Sequence, residues 1–222
     1  MPLNKQSGNM YPWVTHTWNP IRGKCPHDCI YCYMKRWFDV GDLRLVESEL
    51  NLNLGNGKTI FVGSATDMFA DAIQLEWIER VLEHCSKHGD NTYLFQSKNP
   101  EAFGKFSFPQ STILATTIET NRDYSLSFAP LVSRRVEAMR SIVCSRKMVS
   151  IEPLLDFDLS QFLGMIIDIR PSFVSIGADS QHHRLPEPPR SKIIELVNQL
   201  KRVIEVKIKT NLNRLIKSEA IR

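Results

Sequence analysis

Residues 13–33 read WVTHTWNPIRGKCPHDCIYCY, a β-rich run that leads into a loop with three cysteines. Cys25, Cys29 and Cys32 have the spacing C-x3-C-x2-C, and the chain of 222 residues has only five cysteines. A secreted disulfide framework spaces its cysteines more evenly, whereas thiols crowded at turn spacing are typical of a metal site or an iron–sulfur cluster. The stretch therefore predicts a strand followed by a metal-binding loop; the alternative is three free thiols in a loop.

Short β-rich runs alternate with helical patterns along the rest of the chain. The runs are 13–18, 59–64, 92–97, 112–119, 147–152, 173–178 and 206–211. Several are apolar at consecutive positions, which is typical of strands covered on both faces. Apolar stripes at helical spacing lie in 71–89, with Asp71 as the predicted N-cap, and in 131–143 and 189–204. The alternation predicts an α/β fold with parallel strands, in a sheet that is open or curls into a full or partial barrel.

The composition is that of an ordinary globular protein. The hydrophobic fraction is 42%, the charged fraction is 23%, and the net charge of +4 tolerates an anionic partner without demanding one. No stretch approaches the ~20 apolar residues of a membrane span, and the N-terminal residues contain no signal-peptide core. We expect one domain over residues 1–222, a cytoplasmic location and no membrane partner.

The cysteine spacing, its place after the first strand and Tyr31 just before the third cysteine resemble the radical S-adenosylmethionine superfamily. The resemblance implies a partial (β/α) TIM-like barrel in which Cys25, Cys29 and Cys32 hold three irons of a [4Fe-4S] cluster. The fourth iron would chelate S-adenosylmethionine. One electron, from a donor such as flavodoxin or ferredoxin, would cleave that cofactor to methionine and a 5′-deoxyadenosyl radical, which abstracts hydrogen from a substrate.

Longer segments extend the resemblance over most of the chain. TWNPIRGKCPHDCIYCY, IFVGSATDMFAD, QSKNP, SIEPLLDF and SIGADS are similar to a phage- and prokaryote-associated radical S-adenosylmethionine-like family of unassigned function. The segment around the cysteines also resembles relatives of spore photoproduct lyase, which repair DNA by radical chemistry. That match is short and does not carry the repair activity over. The sequence does not identify the substrate. Nucleic acid is expected only because the resemblance to this family implies it.

The superfamily places a Gly-Gly-Glu-type segment after its second strand to bind the methionine amino group. Here the equivalent is VGSATD, in which Gly63 and Ser64 are candidates for the backbone role and Asp67 for the acid. The segment departs from the family pattern. The alternative is that Gly63 permits close packing and that Asp67 caps a helix.

Polar residues also follow the later strands. By the resemblance, Tyr31, Thr117 and Glu119 belong to the cofactor site, with Glu119 as the better acceptor for the ribose hydroxyls and a helix cap as its alternative. Glu152 ends the fifth strand and is a further candidate, because buried carboxylates need partners. Gly177 ends the sixth strand, where it allows a ligand close to the backbone.

Lysines and histidines near the strand ends have a plainer interpretation. Lys98 and Lys209, the latter with Asn211, are candidates for an anionic ligand, but exposure to solvent is the commoner state of a lysine. Residues 181–190 read QHHRLPEPPR and predict a mobile loop or lid. Its His182 and His183 are interpreted as exposed polar residues.

Two other functions remain open at this point. His27 lies within the cysteine loop, so a zinc site of three cysteines and one histidine is a rival, in a nucleic-acid-binding module. Aromatic residues near Arg36 are compatible with that module; they are Trp18, Tyr33, Trp37 and Phe38. The second alternative is a relative that keeps the cluster without turnover. Cys85 and Cys144 fall in or beside helical stripes and are interpreted as core residues.

Overall fold

The computed structural model describes residues 3–36 and 40–217, which contain ten strands and five α-helices. The strands are β1 (Asn4–Lys5), β2 (His16–Trp18), β3 (Ile21–Arg22), β4 (Arg44–Leu45), β5 (Thr59–Val62), β6 (Thr92–Gln96), β7 (Thr112–Thr117), β8 (Lys147–Ile151), β9 (Phe173–Ile176) and β10 (Glu205–Ile208). The helices are α1 (Leu75–Lys87), α2 (Val132–Ser141), α3 (Leu159–Ile169), α4 (Arg190–Leu200) and α5 (Asn213–Lys217). No helix in the two described ranges is long and apolar enough to cross a membrane.

Eight strands form one sheet in the order β1-β2-β5-β6-β7-β8-β9-β10. Every neighbouring pair from β2 to β10 is parallel, and β1 pairs antiparallel with the outer edge of β2. Strands β3 and β4 form a separate antiparallel pair beside the cysteines. Within the described residues β1 and β10 are the free edges of the large sheet, so the predicted parallel, partial barrel is confirmed.

The two faces of the sheet bury different partners. The helices α1 to α4 cover the outer face and enclose the larger hydrophobic core. The inner face carries a smaller cluster, in which Tyr11, Val14 and Trp13 from the segment 9–14 pack against apolar residues of β6 to β9. Strands β7 and β9 are buried along their whole length, which explains their consecutive apolar residues. All these strands direct their carboxyl ends, and the loops that follow them, to one edge of the barrel.

Several predicted boundaries are wrong by a few residues. Helix α1 begins at Leu75 with Gln74 as its N-cap, because Asp71 accepts a hydrogen bond from Asn99 Nδ2 (2.9 Å) instead of capping the helix. Helix α4 ends at Leu200, so the predicted helical stripe to residue 204 is too long.

The two cysteines outside the loop lie where core residues are expected. Cys85 is fully buried in the larger core, which confirms its interpretation. Cys144 is half-buried and packs against the rim of that core.

Candidate metal and cofactor site

The cysteine loop, residues 23–32, begins where β3 ends. Gly23 has φ +124°, and a Cβ atom there would lie 2.4 Å from the carbonyl oxygen of Asp42, so the chain enters the loop through a position that only glycine fits. Two tight turns follow, in which Asp28 N donates to Cys25 O (3.2 Å) and Cys32 N donates to Cys29 O (3.1 Å). All three cysteines are free thiols. The sequence thus folds locally to present three sulfur atoms from one short loop.

Neighbouring segments hold this loop in place. Ile30 N donates to Leu126 O (2.9 Å) and Phe128 N donates to His27 O (2.8 Å), so residues 126–128 run beside the loop. On another side, the Thr66 hydroxyl donates to Gly23 O (2.7 Å). These three hydrogen bonds hold the loop against residues 126–128 and against Thr66.

Burial determines the protonation state of the thiols. Burial raises the pKa of Cys25 to about 11, with a further contribution from the charge of Asp67, and burial also raises the pKa of Cys32. These groups are therefore protonated at neutral pH, and a metal that bound them as thiolates would release the protons.

The donor set fits an iron–sulfur cluster. Within residues 3–36 and 40–217 no three His, Cys, Asp or Glu side chains surround the position of a single metal ion. A [4Fe-4S] cluster makes a different demand, because each thiolate binds a different iron atom. Three thiols on one loop would supply one ligand to each of three irons and none to the fourth.

Asp67 ties the cysteine loop to the strand ends. Its Oδ2 accepts hydrogen bonds from His27 Nε2 (2.9 Å), Ser97 Oγ (3.0 Å) and Lys98 N (2.8 Å), and its Oδ1 accepts one from Phe69 N (3.0 Å). Burial pushes the pKa of Asp67 up, but these hydrogen bonds and the nearby His27 outweigh it and lower the pKa. With four donors already bound, Asp67 is placed to position the loop. The alternative of a helix cap is wrong, since Asp67 closes a turn at Phe69 and not the start of α1.

Gly63 and Ser64 directly follow β5 and lie against the chain that leaves the cysteine loop. Gly63 has φ +77°, and a Cβ atom there would come within 3.3 Å of the Met68 side chain. The Ser64 hydroxyl donates to Asn19 Oδ1 (3.2 Å), and its carbonyl accepts a hydrogen bond from Tyr33 OH (2.7 Å). Binding of an amino group by this segment stays a prediction.

A buried group of four side chains lies beside the loop, and we name it the proximal cluster: Tyr31, Lys98, Glu119 and Arg135. Tyr31 OH and Lys98 Nζ (2.6 Å) both donate to Glu119 Oε1, and Arg135 Nη1 donates to Oε2 (2.8 Å). Lys98 Nζ also contacts Tyr31 OH (2.8 Å). Arg135 donates a second hydrogen bond to Thr117 O (2.9 Å), so the predicted residue Thr117 adjoins this cluster.

The proximal cluster carries an excess of positive charge. Burial pushes the pKa of Glu119 up, but Lys98 and Arg135 outweigh it and lower the pKa to about 2. Burial raises the pKa of Tyr31 well above its usual value, so its hydroxyl stays a donor. The side chains of Glu119 and Arg135 are almost fully buried and that of Lys98 is 12% exposed. Two cations against one carboxylate leave a net charge of +1 within these four side chains.

Two interpretations from the sequence are wrong at this cluster, and one residue was missed. Lys98 is not exposed but pairs with Glu119, and Glu119 is not a helix cap, because Leu131 is the N-cap of α2. Arg135 was missed because nothing in the sequence separates it from Arg134, whose side chain is largely exposed. Ribose binding by Glu119 stays a prediction.

Glu152 lies in a second group, the distal cluster, formed by Asn9, Glu152, Lys209 and Asn211 at the ends of β8 and β10. Glu152 Oε2 accepts a hydrogen bond from Lys209 Nζ (2.7 Å), and Oε1 accepts from Asn9 Nδ2 (2.8 Å) and Asn211 Nδ2 (2.9 Å). Lys209 also donates to Asn9 O and is nearly fully buried, so its predicted exposure is wrong. The distal cluster is a balanced ion pair with two amides.

Gly177 packs directly against the distal cluster. A Cβ atom at Gly177 would lie 2.7 Å from Glu152 Oε1 and 3.0 Å from Asn211 Oδ1. The side chain that lies close to the backbone of Gly177 is therefore that of Glu152. The role predicted for Gly177 toward a ligand stays a prediction.

Tyr11 connects the two clusters across the inner face of the sheet. Its hydroxyl lies 2.8 Å from both Gln96 Oε1 and Ser150 Oγ, and Gln96 Nε2 donates to Thr117 Oγ1 (3.1 Å). Lys209 Nζ lies 4.7 Å from the centre of the Tyr11 ring. Burial, with a contribution from Glu152, raises the pKa of Tyr11. The segment 9–14 was missed as part of this region, because its sequence has no regular period.

The loop of residues 181–190 is anchored at several points. Asp179, which is buried, accepts hydrogen bonds from His183 Nδ1 (2.8 Å) and Gln181 N (3.0 Å). Leu185 is buried and Glu187 pairs with Arg214. His182 is exposed, as expected, whereas His183 is only partly exposed and pairs with Asp179, so its predicted exposure is wrong. A role of this loop as a lid stays a prediction.

Of the aromatic residues considered for a nucleic-acid-binding module, the structure describes Trp18 and Tyr33, and these two do not share a surface. Trp18 is buried in the larger core, where its Nε1 donates to Glu49 Oε2 (3.1 Å). Tyr33 is partly exposed, with the Arg36 guanidinium 5.8 Å from its ring centre. Trp37 and Phe38 lie outside the described residues.

Comparisons with known proteins agree with this fold. The model of the family described as "Protein of unknown function (DUF5131)" matches residues 9–187. No curated protein sequence matches the chain. A solved variant of spore photoproduct lyase has a TM-score of 0.64 at 8% identity, over 91% of this chain and 78% of that one. A second variant, with bound S-adenosylmethionine and a dinucleoside spore photoproduct, has a TM-score of 0.59 at 10% identity. SuiB of Streptococcus suis, bound to S-adenosylmethionine, has a TM-score of 0.54 at 10% identity.

These solved proteins are radical S-adenosylmethionine enzymes, and at such low identity the likeness concerns the fold. The chain covers 59% of the ligand-bound spore photoproduct lyase, with 78% of its own length matched. It covers 49% of SuiB, with 86% of its own length matched. The predicted fold is confirmed, whereas the cluster and the individual site residues stay predictions.

Proposed function

We propose that this chain, which belongs to the DUF5131 family, is a radical S-adenosylmethionine enzyme that binds a [4Fe-4S] cluster and S-adenosylmethionine at the cysteine loop. One observation carries the proposal: three free thiols on one loop stand beside a buried cluster of side chains with a net positive charge. The overall fold, shared with enzymes of this superfamily, supports it.

In this proposal Cys25, Cys29 and Cys32 each bind one iron. When bound, the cluster supplies the electron that cleaves S-adenosylmethionine reductively. The chain's own task is to hold the thiols in place, which it does through the turns of the loop and through His27, whose imidazole pairs with Asp67. His27 is then a positioning residue, in contrast to the ligand that the zinc alternative requires.

The proximal cluster and the segment after β5 would bind S-adenosylmethionine. Its carboxylate is the anion that the excess charge of Lys98 and Arg135 favours, because a buried cation needs a partner. The backbone of Gly63 and Ser64 would bind the methionine amino group of the cofactor. Glu119 keeps acceptor capacity for a ribose hydroxyl beside its three internal donors, and Thr117 adjoins it. In this arrangement Glu152 holds the distal cluster together and does not contact the cofactor.

The substrate would approach the edge of the barrel at which the parallel strands end. A solved spore photoproduct lyase contains a dinucleoside spore photoproduct, and nucleic acid is the corresponding proposal for this chain. The reaction class is hydrogen abstraction from that substrate.

Reconstitution with iron and sulfide without oxygen tests the cluster. We expect brown protein with broad absorption near ~400 nm, as for thiolate-bound iron–sulfur clusters, and close to four irons per chain. Cys25→Ala, Cys29→Ala and Cys32→Ala should each lose most of this iron. Cys144→Ala is the matched control, since Cys144 is also a free, half-buried thiol, and it should keep the iron. A colourless protein with one tightly bound zinc ion would overturn the proposal.

An assay of S-adenosylmethionine cleavage distinguishes an active enzyme from a relative that binds the cluster without turnover. The reduced, cluster-loaded protein should release 5′-deoxyadenosine slowly from S-adenosylmethionine, even without substrate. Chromatography of the quenched reaction measures the release. No release from a fully loaded and reduced protein would favour the relative without turnover.

A further inference from the structure

The last strand of the large sheet, β10, has one edge that no other described strand covers. Strand β9 pairs with one side of β10, and no strand of residues 3–36 and 40–217 lies on its other side. Apolar side chains in and just before this strand are exposed, since Val203 is 62% exposed and Ile208 38%. An uncovered strand edge is a template for pairing with another chain, and proteins protect such edges unless they use them.

The backbone of β10 presents its hydrogen-bonding groups to the open side at alternate residues. Lys209, directly after the strand, donates its amide hydrogen to Ile176 O of β9 (2.9 Å). Because the hydrogen bonds of a parallel pair recur at every second residue, the amides of Glu205 and Lys207 face β9 as well. The amides and carbonyls of Val206 and Ile208 therefore face away from the sheet, and Val206 lies at the middle of the open edge.

The side chains along this edge have a self-complementary order. Residues 204–208 read Ile-Glu-Val-Lys-Ile. Glu205 and Lys207 lie on the same face of the strand, where they form an ion pair and their side chains are 61% and 34% exposed. In an antiparallel second copy whose two-fold axis passes at Val206, Glu205 of each copy lies opposite Lys207 of the other. The same axis places Ile204 opposite Ile208.

The other two-fold registers within the strand are unfavourable. An axis at Glu205 or at Lys207 sets that residue opposite its own copy, and an axis at Ile208 sets Lys207 opposite Lys209. Like charges directly opposite each other destabilise a pair of strands. An axis between two residues pairs an amide that faces the edge with one that faces β9, so the hydrogen bonds between the copies are not made. The axis at Val206 matches both the charges and the backbone donors.

We propose that this chain forms a symmetric dimer in which β10 pairs antiparallel with β10 of a second copy about Val206. The charge order favours a second copy over an unrelated extended peptide, because the same two side chains supply both partners of each ion pair. Pairing along so short a strand buries little surface, so the dimer dissociates on dilution. The inference goes beyond the proposed function and does not depend on the iron–sulfur cluster, S-adenosylmethionine or the substrate.

Sedimentation velocity of the cluster-free full chain tests the dimer. The wild type should change from monomer to dimer over concentrations on the order of 1–100 μM, as for a weak interface. Glu205→Lys and Lys207→Glu each set like charges opposite each other at two places, and each should raise the dissociation constant about tenfold. An equimolar mixture of these two variants should regain the affinity of the wild type, because every opposed pair in the mixed dimer has opposite charges.

An exposed ion pair on α1 supplies the matched control. Glu83 and Lys87 lie 2.9 Å apart on that helix, away from β10. Glu83→Lys and Lys87→Glu change the net charge of the chain as the edge variants do. Each of them alone should dimerise like the wild type, and mixing them should change nothing.

Val206→Pro tests the backbone hydrogen bonds. Proline removes an amide hydrogen that the dimer uses and that β9 does not, and proline is tolerated on edge strands. This variant should stay monomeric at every concentration, with thermal melting as the check that it is folded. If it does not fold, the mixture of the two charge variants still decides, because unfolded chains do not regain a dimer on mixing.

Three results would overturn the proposal. The first is a wild type that stays monomeric up to about 100 μM, the upper end of the range for a weak interface. The second is a dimer that Glu205→Lys and folded Val206→Pro leave unchanged, since the interface would then lie elsewhere. The third is a mixture of Glu205→Lys and Lys207→Glu that associates no more tightly than either variant alone, which would exclude the register about Val206.

Discussion

The proximal and the distal cluster each bury a glutamate against a lysine at the carboxyl ends of the strands, yet their charges balance differently. In the distal cluster Glu152 meets one cation, Lys209, and two neutral amides. In the proximal cluster Glu119 meets two cations, Lys98 and Arg135. A balanced pair is complete without a ligand, whereas a buried excess of positive charge is stabilised by a further anion. The difference favours the proximal cluster as the place where the carboxylate of S-adenosylmethionine would bind.

The clusters also differ in what they attach. Tyr31 joins the proximal cluster to the cysteine loop, so a change at Glu119 reaches the thiols through one side chain. Asn9 joins the distal cluster to the segment 9–14, which fills the inner face of the sheet. The same kind of ion pair therefore supports the cysteine loop in one region and closes the barrel interior in the other.

The largest expected effect is on stability in the proximal cluster. Glu119→Ala removes the anion between Lys98 and Arg135 and should lower the free energy of unfolding by about 3–5 kcal/mol, as for other broken buried pairs. Urea unfolding of the cluster-free protein measures it. A loss of unfolding free energy below ~1 kcal/mol would mean that the two cations are solvated in the folded protein. The contrast in charge balance between the two clusters would then be contradicted.

The next effect is the pH dependence of the same carboxylate. The pKa of Glu119 is lowered to about 2 from its usual 4.5, so its stabilisation is complete above pH 4.5 and is lost as the pH falls toward 2. Glu119→Gln lacks this titration. The difference in unfolding free energy between wild type and Glu119→Gln should therefore shrink by up to about 3 kcal/mol over that range. A constant difference, measured by urea unfolding at each pH, would show that the carboxylate is not held as described.

The smallest of the three stability effects belongs to the distal cluster. Glu152→Ala leaves one cation, and Lys209 keeps its hydrogen bond to the carbonyl of Asn9. We expect a loss of about 1–3 kcal/mol, the range for a buried polar group that loses one partner. If Glu152→Ala destabilised the protein more than Glu119→Ala in the same unfolding assay, the charge balance would not be the relevant difference.

The parts of this architecture that could be predicted from the sequence are those encoded locally. The β-rich runs 112–119 and 173–178 predict strands buried on both faces, and the structure has buried strands at Thr112–Thr117 and Phe173–Ile176. The three cysteines likewise lie within eight positions of one loop. The partners of Lys98 and Lys209 could not be predicted, because a lysine after a strand is exposed or buried according to distant residues. Arg134 and Arg135 are neighbours of the same type, and only the packing of α2 against β7 distinguishes them.

The segment 9–14 illustrates the same limit. Its apolar residues have neither the period of a strand nor that of a helix, because it follows the shape of the inner face. Asn9 and Tyr11 contact residues more than 80 positions away in the chain. Such contacts between distant residues cannot be predicted from a local sequence pattern, because they form only in the folded sheet.

The central claim is that the proximal cluster of side chains, and not the distal one, binds S-adenosylmethionine next to the iron–sulfur cluster. The most direct measurement is the electron paramagnetic resonance spectrum of the reduced, cluster-loaded protein during titration with S-adenosylmethionine. Lys98→Met and Lys209→Met each remove one buried lysine, and thermal melting checks that both variants are folded. The wild type and Lys209→Met should show the same spectral change at the same cofactor concentration, and Lys98→Met should need about 10- to 150-fold more, the loss for one charge-assisted hydrogen bond. Equal titrations of the wild type and Lys98→Met would contradict the account.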